Sequence, residues 1–86
     1  MAVYSIFFKD SVRKDLDSIP TYDLERIIDK IGSLAGNPRP VGCEKLSGQE
    51  KYRLRQGNYR IIYSIQDTEL TIWVVKVGHR REVYRI

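Results

Sequence analysis

The second half of this 86-residue chain holds three strand-like runs joined by turns too short for anything but antiparallel neighbours. Tyr52-Arg53-Leu54-Arg55 leads through Gly57-Asn58 to Tyr59-Arg60-Ile61-Ile62-Tyr63, and Asp67-Thr68-Glu69 leads on to Leu70-Thr71-Ile72-Trp73-Val74-Val75-Lys76-Val77. Short connections built from Gly, Asn and Asp make hairpin turns, whereas parallel pairing needs a crossover of roughly a dozen residues or more. The strands are predicted over residues 52–56, 59–66 and 70–77, as a three-strand meander. The third run is apolar on nearly both faces, which places it in the interior of the sheet. Gly78 is expected to break it, with a short helical turn in the basic tail 79–86. Tyr59, Tyr63 and Trp73 stand at core spacing and are expected to pack.

The first half has a different period. Residues 3–8, Val-Tyr-Ser-Ile-Phe-Phe, are β-branched and aromatic and read as a first strand. Asp10-Ser11 offers helix-start chemistry, followed by Val12, Leu16 and Ile19 at helical spacing, and Pro20 ends that helix and opens the next. Leu24, Ile27, Ile28, Ile31 and Leu34 then form one apolar stripe of a second helix. Gly36-Asn37-Pro38-Arg39-Pro40 stops it, and a loop is expected to about Lys51. The predicted order is β-α-α-β-β-β: a single α+β domain over residues 1–86, with a helical hairpin packed on one side of a sheet.

Composition narrows the function. At 42% apolar and 30% charged, the chain has the balance of a globular domain. A single Cys43 excludes an internal disulfide, and with one His79 no histidine- or cysteine-rich metal site is available, so neither metal nor cofactor is expected. No apolar run approaches the roughly 18 residues of a membrane span, and the opening Met-Ala-Val-Tyr-Ser lacks a secretory pattern, so no membrane association and a cytoplasmic location are expected. The net charge of +4 is unevenly spread: residues 1–44 carry six Lys/Arg against seven Asp/Glu, and residues 45–86 carry nine against four. A basic half beside a near-neutral one suits an anionic partner met by one face.

Strand alternation orders that charge. Arg53 and Arg55 project from one face while Tyr52 and Leu54 take the other, and Arg60 lies in the next strand. Guanidinium forks held on a sheet can grip two phosphate oxygens at once. The chain ends Gly78-His79-Arg80-Arg81-Glu82-Val83-Tyr84-Arg85.

Three pieces, in this order and spacing, resemble the RelE/ParE superfamily of type II toxins: Lys45-Leu46-Ser47-Gly48, then Tyr52-Arg53-Leu54-Arg55 with Tyr59-Arg60-Ile61-Ile62-Tyr63, and Val77 through Tyr84. The resemblance spans essentially the whole chain. The RelE branch it implies consists of messenger-RNA endonucleases that act in the ribosomal A site and are restrained by a co-expressed antitoxin in a hetero-oligomer. The ParE branch shares the fold, poisons DNA gyrase and is no nuclease. A basic binding module of the same fold without toxicity is the third reading.

The chemistry implied by the RelE branch needs no metal. A base helps the 2′-hydroxyl attack phosphorus, cations stabilise the phosphorane-like charge, and a donor assists the departing 5′-oxygen, leaving a 2′,3′-cyclic phosphate. By resemblance Arg60 stabilises the transition state, Arg80 or Arg81 assists the leaving group, and Tyr84 stacks on a base or accepts the proton. His79, the one side chain of a type whose unperturbed pKa lies near neutrality, is a further candidate base. Arg53 and Arg55 stand where some RelE members carry lysines. An arginine does not act as a base at neutral pH, so these two are assigned, with Lys45 and Lys51, to binding RNA phosphate.

Overall fold

The apolar stripe of the second helix organises the core of the computed structural model, which describes residues 3–48 and 50–83, the last two by backbone alone. The elements are β1 (Ser5–Phe8), α1 (Asp10–Asp17), α2 (Thr21–Ser33), β2 (Glu44–Lys45), β3 (Lys51–Gln56), β4 (Tyr59–Gln66), β5 (Thr71–His79) and α3 (Arg80–Val83), with a 3-10 turn at Asp67–Glu69. Ile27, Ile31 and Leu34 from the α2 stripe meet Val12 of α1 and Leu54, Ile61, Tyr63, Ile72, Val74 and Val77 of the sheet. Ile28 falls at the rim of the stripe and stays 43% exposed. Both helices therefore cover one face of the sheet; the other face carries Arg53, Arg55 and Arg60 and is covered at Ile62, which is fully buried outside that core.

The strands are ordered β1-β5-β4-β3-β2, with β1 parallel to β5 and every other pair antiparallel. The α+β class and the helices-then-meander order hold. What the structure adds is β2, two residues inside the expected loop, pairing Glu44 with Arg53 and Lys45 with Tyr52. Gly57 takes the positive φ of 59° that its tight turn requires. Asp10 is the first helical residue of α1, not its cap; Lys9 stands at the cap position without a side-chain bond.

Two expectations about β5 are corrected. It begins at Thr71, because Leu70 adopts a left-handed φ of 49° to leave the 3-10 turn. It also runs through Gly78 to His79, since a β-bulge keeps its end paired with β4. Trp73 is a third correction. It lies on the open face, 39% exposed and stacked on Phe7 at 5.2 Å between ring centroids. By contrast Tyr63 is fully buried and Tyr59 packs against the core.

Candidate functional site

The β3–β4 hairpin turns its arginines away from the helices. Leu54 and Ile61 are core residues paired with each other, so their sequence neighbours Arg53, Arg55 and Arg60 take the open face. Arg55 and Arg60 are direct cross-strand partners. Like charges so placed destabilise a sheet. Neither forms an ion pair with a carboxylate among the described residues. Arg60 is half-buried, and its Nε is fully buried without an acceptor. A buried donor left unpaired costs roughly 1–3 kcal/mol, and an anion arriving beside Arg55 offsets the like-charge repulsion.

On the other side of Arg60 stands Gly78. Pairing between β4 and β5 shifts between Ile62 and Tyr63: Tyr63 faces Val74 while Ile62 faces Lys76, so Val75 is an extra residue. The shift puts Val77 in the core opposite Ile61 and leaves Arg60 beside a residue with no side chain. Bulges re-aim strands in this way, often next to functional sites. The next residue, His79, pairs with Tyr59 and meets its ring edge-on at 5.7 Å. Arg80 then donates its backbone N–H to Asn58 in the β3–β4 turn at 2.8 Å, which fixes the start of α3 beside the hairpin tip. Arg80 and Arg81 are exposed. Arg81 donates its backbone N–H to Nδ1 of His79 at 3.3 Å, so that nitrogen serves as acceptor and a neutral imidazole carries its proton on Nε2.

The structure thus gathers Arg55, Arg60, His79, Arg80 and Arg81 at one end of the sheet. Arg53 shares their face, but its guanidinium contacts Glu44 at 3.4 Å. Lys51 shares the face at the far end of β3, opposite Ser64, roughly 13 Å along the strand from Arg55. Lys45 is separated from them: it pairs with Tyr52 on the helix side, and its ammonium faces Glu50 at 3.9 Å. Tyr84 lies outside the described residues. Among the described residues no cluster of three His, Cys, Asp or Glu could hold a metal ion, and no helix is long and apolar enough to cross a membrane. A hollow of about 550 Å³ lined by Phe8, Leu16 and Ile28, among others, contains none of the gathered arginines.

Sequence reasoning missed a second arginine centre at the opposite end of β4. Arg39 makes two bonds to Asp67, at 3.2 and 2.9 Å, and a third from Nε to the Tyr52 hydroxyl at 3.1 Å. Tyr4 donates to the same carboxylate at 2.8 Å. These donors, Arg39 first and then Tyr4, hold the Asp67 carboxyl below the usual range. Tyr4 is raised chiefly by its bond to Asp67, and Arg39 is raised first by Asp67 and then by Tyr52. Beneath them, burial pushes the Tyr63 phenol up; it stacks on Tyr52 and donates to the Pro38 carbonyl at 2.7 Å. Arg39 and Asp67 are 28 positions apart, and no local signal joins them.

A helical pair over a meander with an open basic end is the architecture of a small RelE/ParE-type toxin. The sequence matches, over residues 6–84, the family described as the ParE toxin of type II toxin-antitoxin system, parDE, and the chain belongs to that family. It is similar to toxin RelG of Mycobacterium tuberculosis, with 31% identity over 95% of this chain and 97% of the relative. It is also similar to the mRNA interferase toxin RelE of Escherichia coli, with 28% identity over 94% of this chain and 90% of the relative. Its fold matches the toxin–antitoxin complex RelBE2 of M. tuberculosis at a TM-score of 0.82, with 28% identity over 93% of this chain and 94% of the other. The protein is a type II toxin of RelE kind within the superfamily.

Proposed function

We propose that this protein is a metal-independent endoribonuclease that cuts messenger RNA on the ribosome and so arrests translation in the cytoplasm. The observation that carries the proposal is the unpaired, partly buried Arg60 between Arg55 and Gly78. A phosphate seated there meets the Arg60 cation, whose Nε is itself buried, and Arg55 supplies a second fork. As the 2′-hydroxyl attacks, negative charge grows on the non-bridging oxygens, and fixed cations stabilise it without reorganising. Arg80 or Arg81, held beside the hairpin tip, assists the departing 5′-oxygen. His79, whose Nδ1 accepts the Arg81 backbone N–H, stands beside these arginines at the hairpin tip. Removal of the 2′-proton falls to Tyr84, as the family resemblance implies. Arg53 and Lys51 extend the phosphate track along the open face; Lys45 contributes to RNA binding only from the other side of β2.

The matched structure of RelBE2 is a toxin–antitoxin complex. By that likeness a RelB-like antitoxin restrains this protein in a hetero-oligomer. Primer extension on a defined message during induced expression tests the activity. Cuts confined to translated transcripts are expected. Because the matching family is named for ParE, the specific alternative is gyrase poisoning: DNA damage with intact transcripts would replace the nuclease reading.

A further inference from the structure

The β-bulge that places Gly78 beside Arg60 has its own anchor. β1 ends at Phe8, opposite Val74, so beyond that point β5 has no strand partner on its β1 side. Asp15 of α1 takes the vacant place. Its Oδ1 accepts the Lys76 ammonium at 3.0 Å, and its Oδ2 accepts the Val77 backbone N–H at 3.2 Å. The Asp15 side chain is only 14% exposed, while that of Lys76 is 37% exposed.

Two registers are geometrically conceivable for the end of β5. In the observed one, Val75 is extra, Val77 faces Ile61 in the core, and Gly78 faces Arg60. In a regular ladder continued from Tyr63–Val74, Lys76 faces Ile61 and Val77 stands beside Arg60. That alternative drives an ammonium toward the core and sets an isopropyl group where the phosphate would lie. Asp15 bonds to the two residues, Lys76 and Val77, whose positions differ between the registers.

We propose that Asp15 is a positioning residue: by holding Lys76 and Val77 it fixes the bulged register, and through it the arrangement of Arg60, Gly78, His79 and Arg80. As a role in catalysis, this rests on the nuclease reading; as a role in register, it does not. The carboxylate touches no substrate. It acts by keeping the site open beside Arg60 and by setting where the chain leaves the sheet for α3.

The test uses the full chain with Asp15→Ala and Asp15→Asn, read in two ways. The first is independent of activity: cross-strand NOEs between residues 60 and 78, and hydrogen exchange at the Val77 amide. The second is steady-state cleavage of a translated message. Asp15→Ala is expected to speed Val77 exchange at least about tenfold, weaken the 60–78 NOEs, and lower kcat by about tenfold or more with KM little changed. Asp15→Asn keeps an acceptor for Val77 and is expected to recover most of kcat. If Asp15→Ala does not fold, Asp15→Asn decides: Val77 exchange closer to wild type than that of Lys9, whose N–H bonds Val74, supports the anchor, and an unprotected Val77 overturns it. Wild-type NOEs and kcat in a folded Asp15→Ala protein would also overturn it, as would a rise in KM alone. A wild-type protein that cuts no translated message sinks the nuclease reading, while the NOE and exchange results still decide the register claim.

Discussion

The two ends of β4 carry arginines in opposite states. At the Gln66 end, Arg39 has its guanidinium filled by Asp67 and Tyr52, with its cation also 5.2 Å over the Tyr52 ring. At the Tyr59 end, Arg60 faces another arginine across the ladder and leaves a buried N–H unused. Both ends draw on β3 and on the same residue type. The first ties the 36–43 loop to the β4–β5 turn and spends its hydrogen bonds on the fold. The second forms no ion pair with a carboxylate among the described residues and is the end where the proposed site lies. Under the proposed reading, unsatisfied charge rather than charge alone marks the site.

The largest expected effect separates the two arginines by exchange of roles. Arg60→Ala should reduce cleavage of a translated transcript by about 100-fold or more, the range for removing one preorganised donor at developing charge. The same change should leave the melting temperature level or slightly raised, since it relieves a like-charge pair. Arg39→Ala should do the reverse, lowering the melting temperature by several degrees while cleavage stays near the parent rate. Cleavage assays and thermal melts on both variants decide it. If Arg60→Ala loses as much stability as Arg39→Ala, the open end is structural and the contrast fails.

A smaller effect needs no RNA. An anion that binds only the folded state at ten times its dissociation constant stabilises it by about 1.4 kcal/mol. Inorganic phosphate, compared with chloride at matched ionic strength, should therefore raise the melting temperature by several degrees. Arg39→Ala should keep that shift and Arg60→Ala should lose it. An equal shift in both would mean a general salt effect and no preferred anion seat.

What the sequence disclosed and what it concealed divide along the same physical line. The α2 stripe, the meander and the shared face of Arg53 and Arg55 are periodic signals within a dozen or so residues, and the structure reproduces them. The candidate arginines were legible because Tyr-Arg-aliphatic runs place charge by alternation. The bulge was not, since an extra Val75 in an apolar run changes no pattern until pairing with β4 is known. Gly78 consequently looked like a strand end when it is a gap beside Arg60. Glu44–Lys45 is too short to announce a strand. Asp15 with Lys76, and Arg39 with Asp67, are made by the fold from residues 61 and 28 positions apart.

The smallest effect tests the filled end by pH. Asp67 titrates below the usual carboxylate range in the folded protein, chiefly because Arg39 and then Tyr4 hydrogen-bond its charged form. A carboxyl depressed on folding contributes stability that is fully present above its unfolded value, roughly pH 4, and is lost as pH falls through the folded value. Asp67→Asn should therefore melt at a lower temperature than the parent near neutrality, and the gap should close on acidification below about pH 4. Tyr4 adds an opposite signature at high pH. Its phenol is raised chiefly by donating to Asp67, so its contribution is present below about pH 10 and is lost as pH rises through the folded value. Asp67→Asn should flatten that alkaline fall as well. Arg60→Ala, with no ion-paired carboxylate beside it among the described residues, should follow the parent curve at both extremes. Parallel curves for parent and Asp67→Asn from acid to neutral pH would show that Arg39 does not couple the 36–43 loop to folding through this carboxylate, and the difference between the two ends would then reduce to the open one.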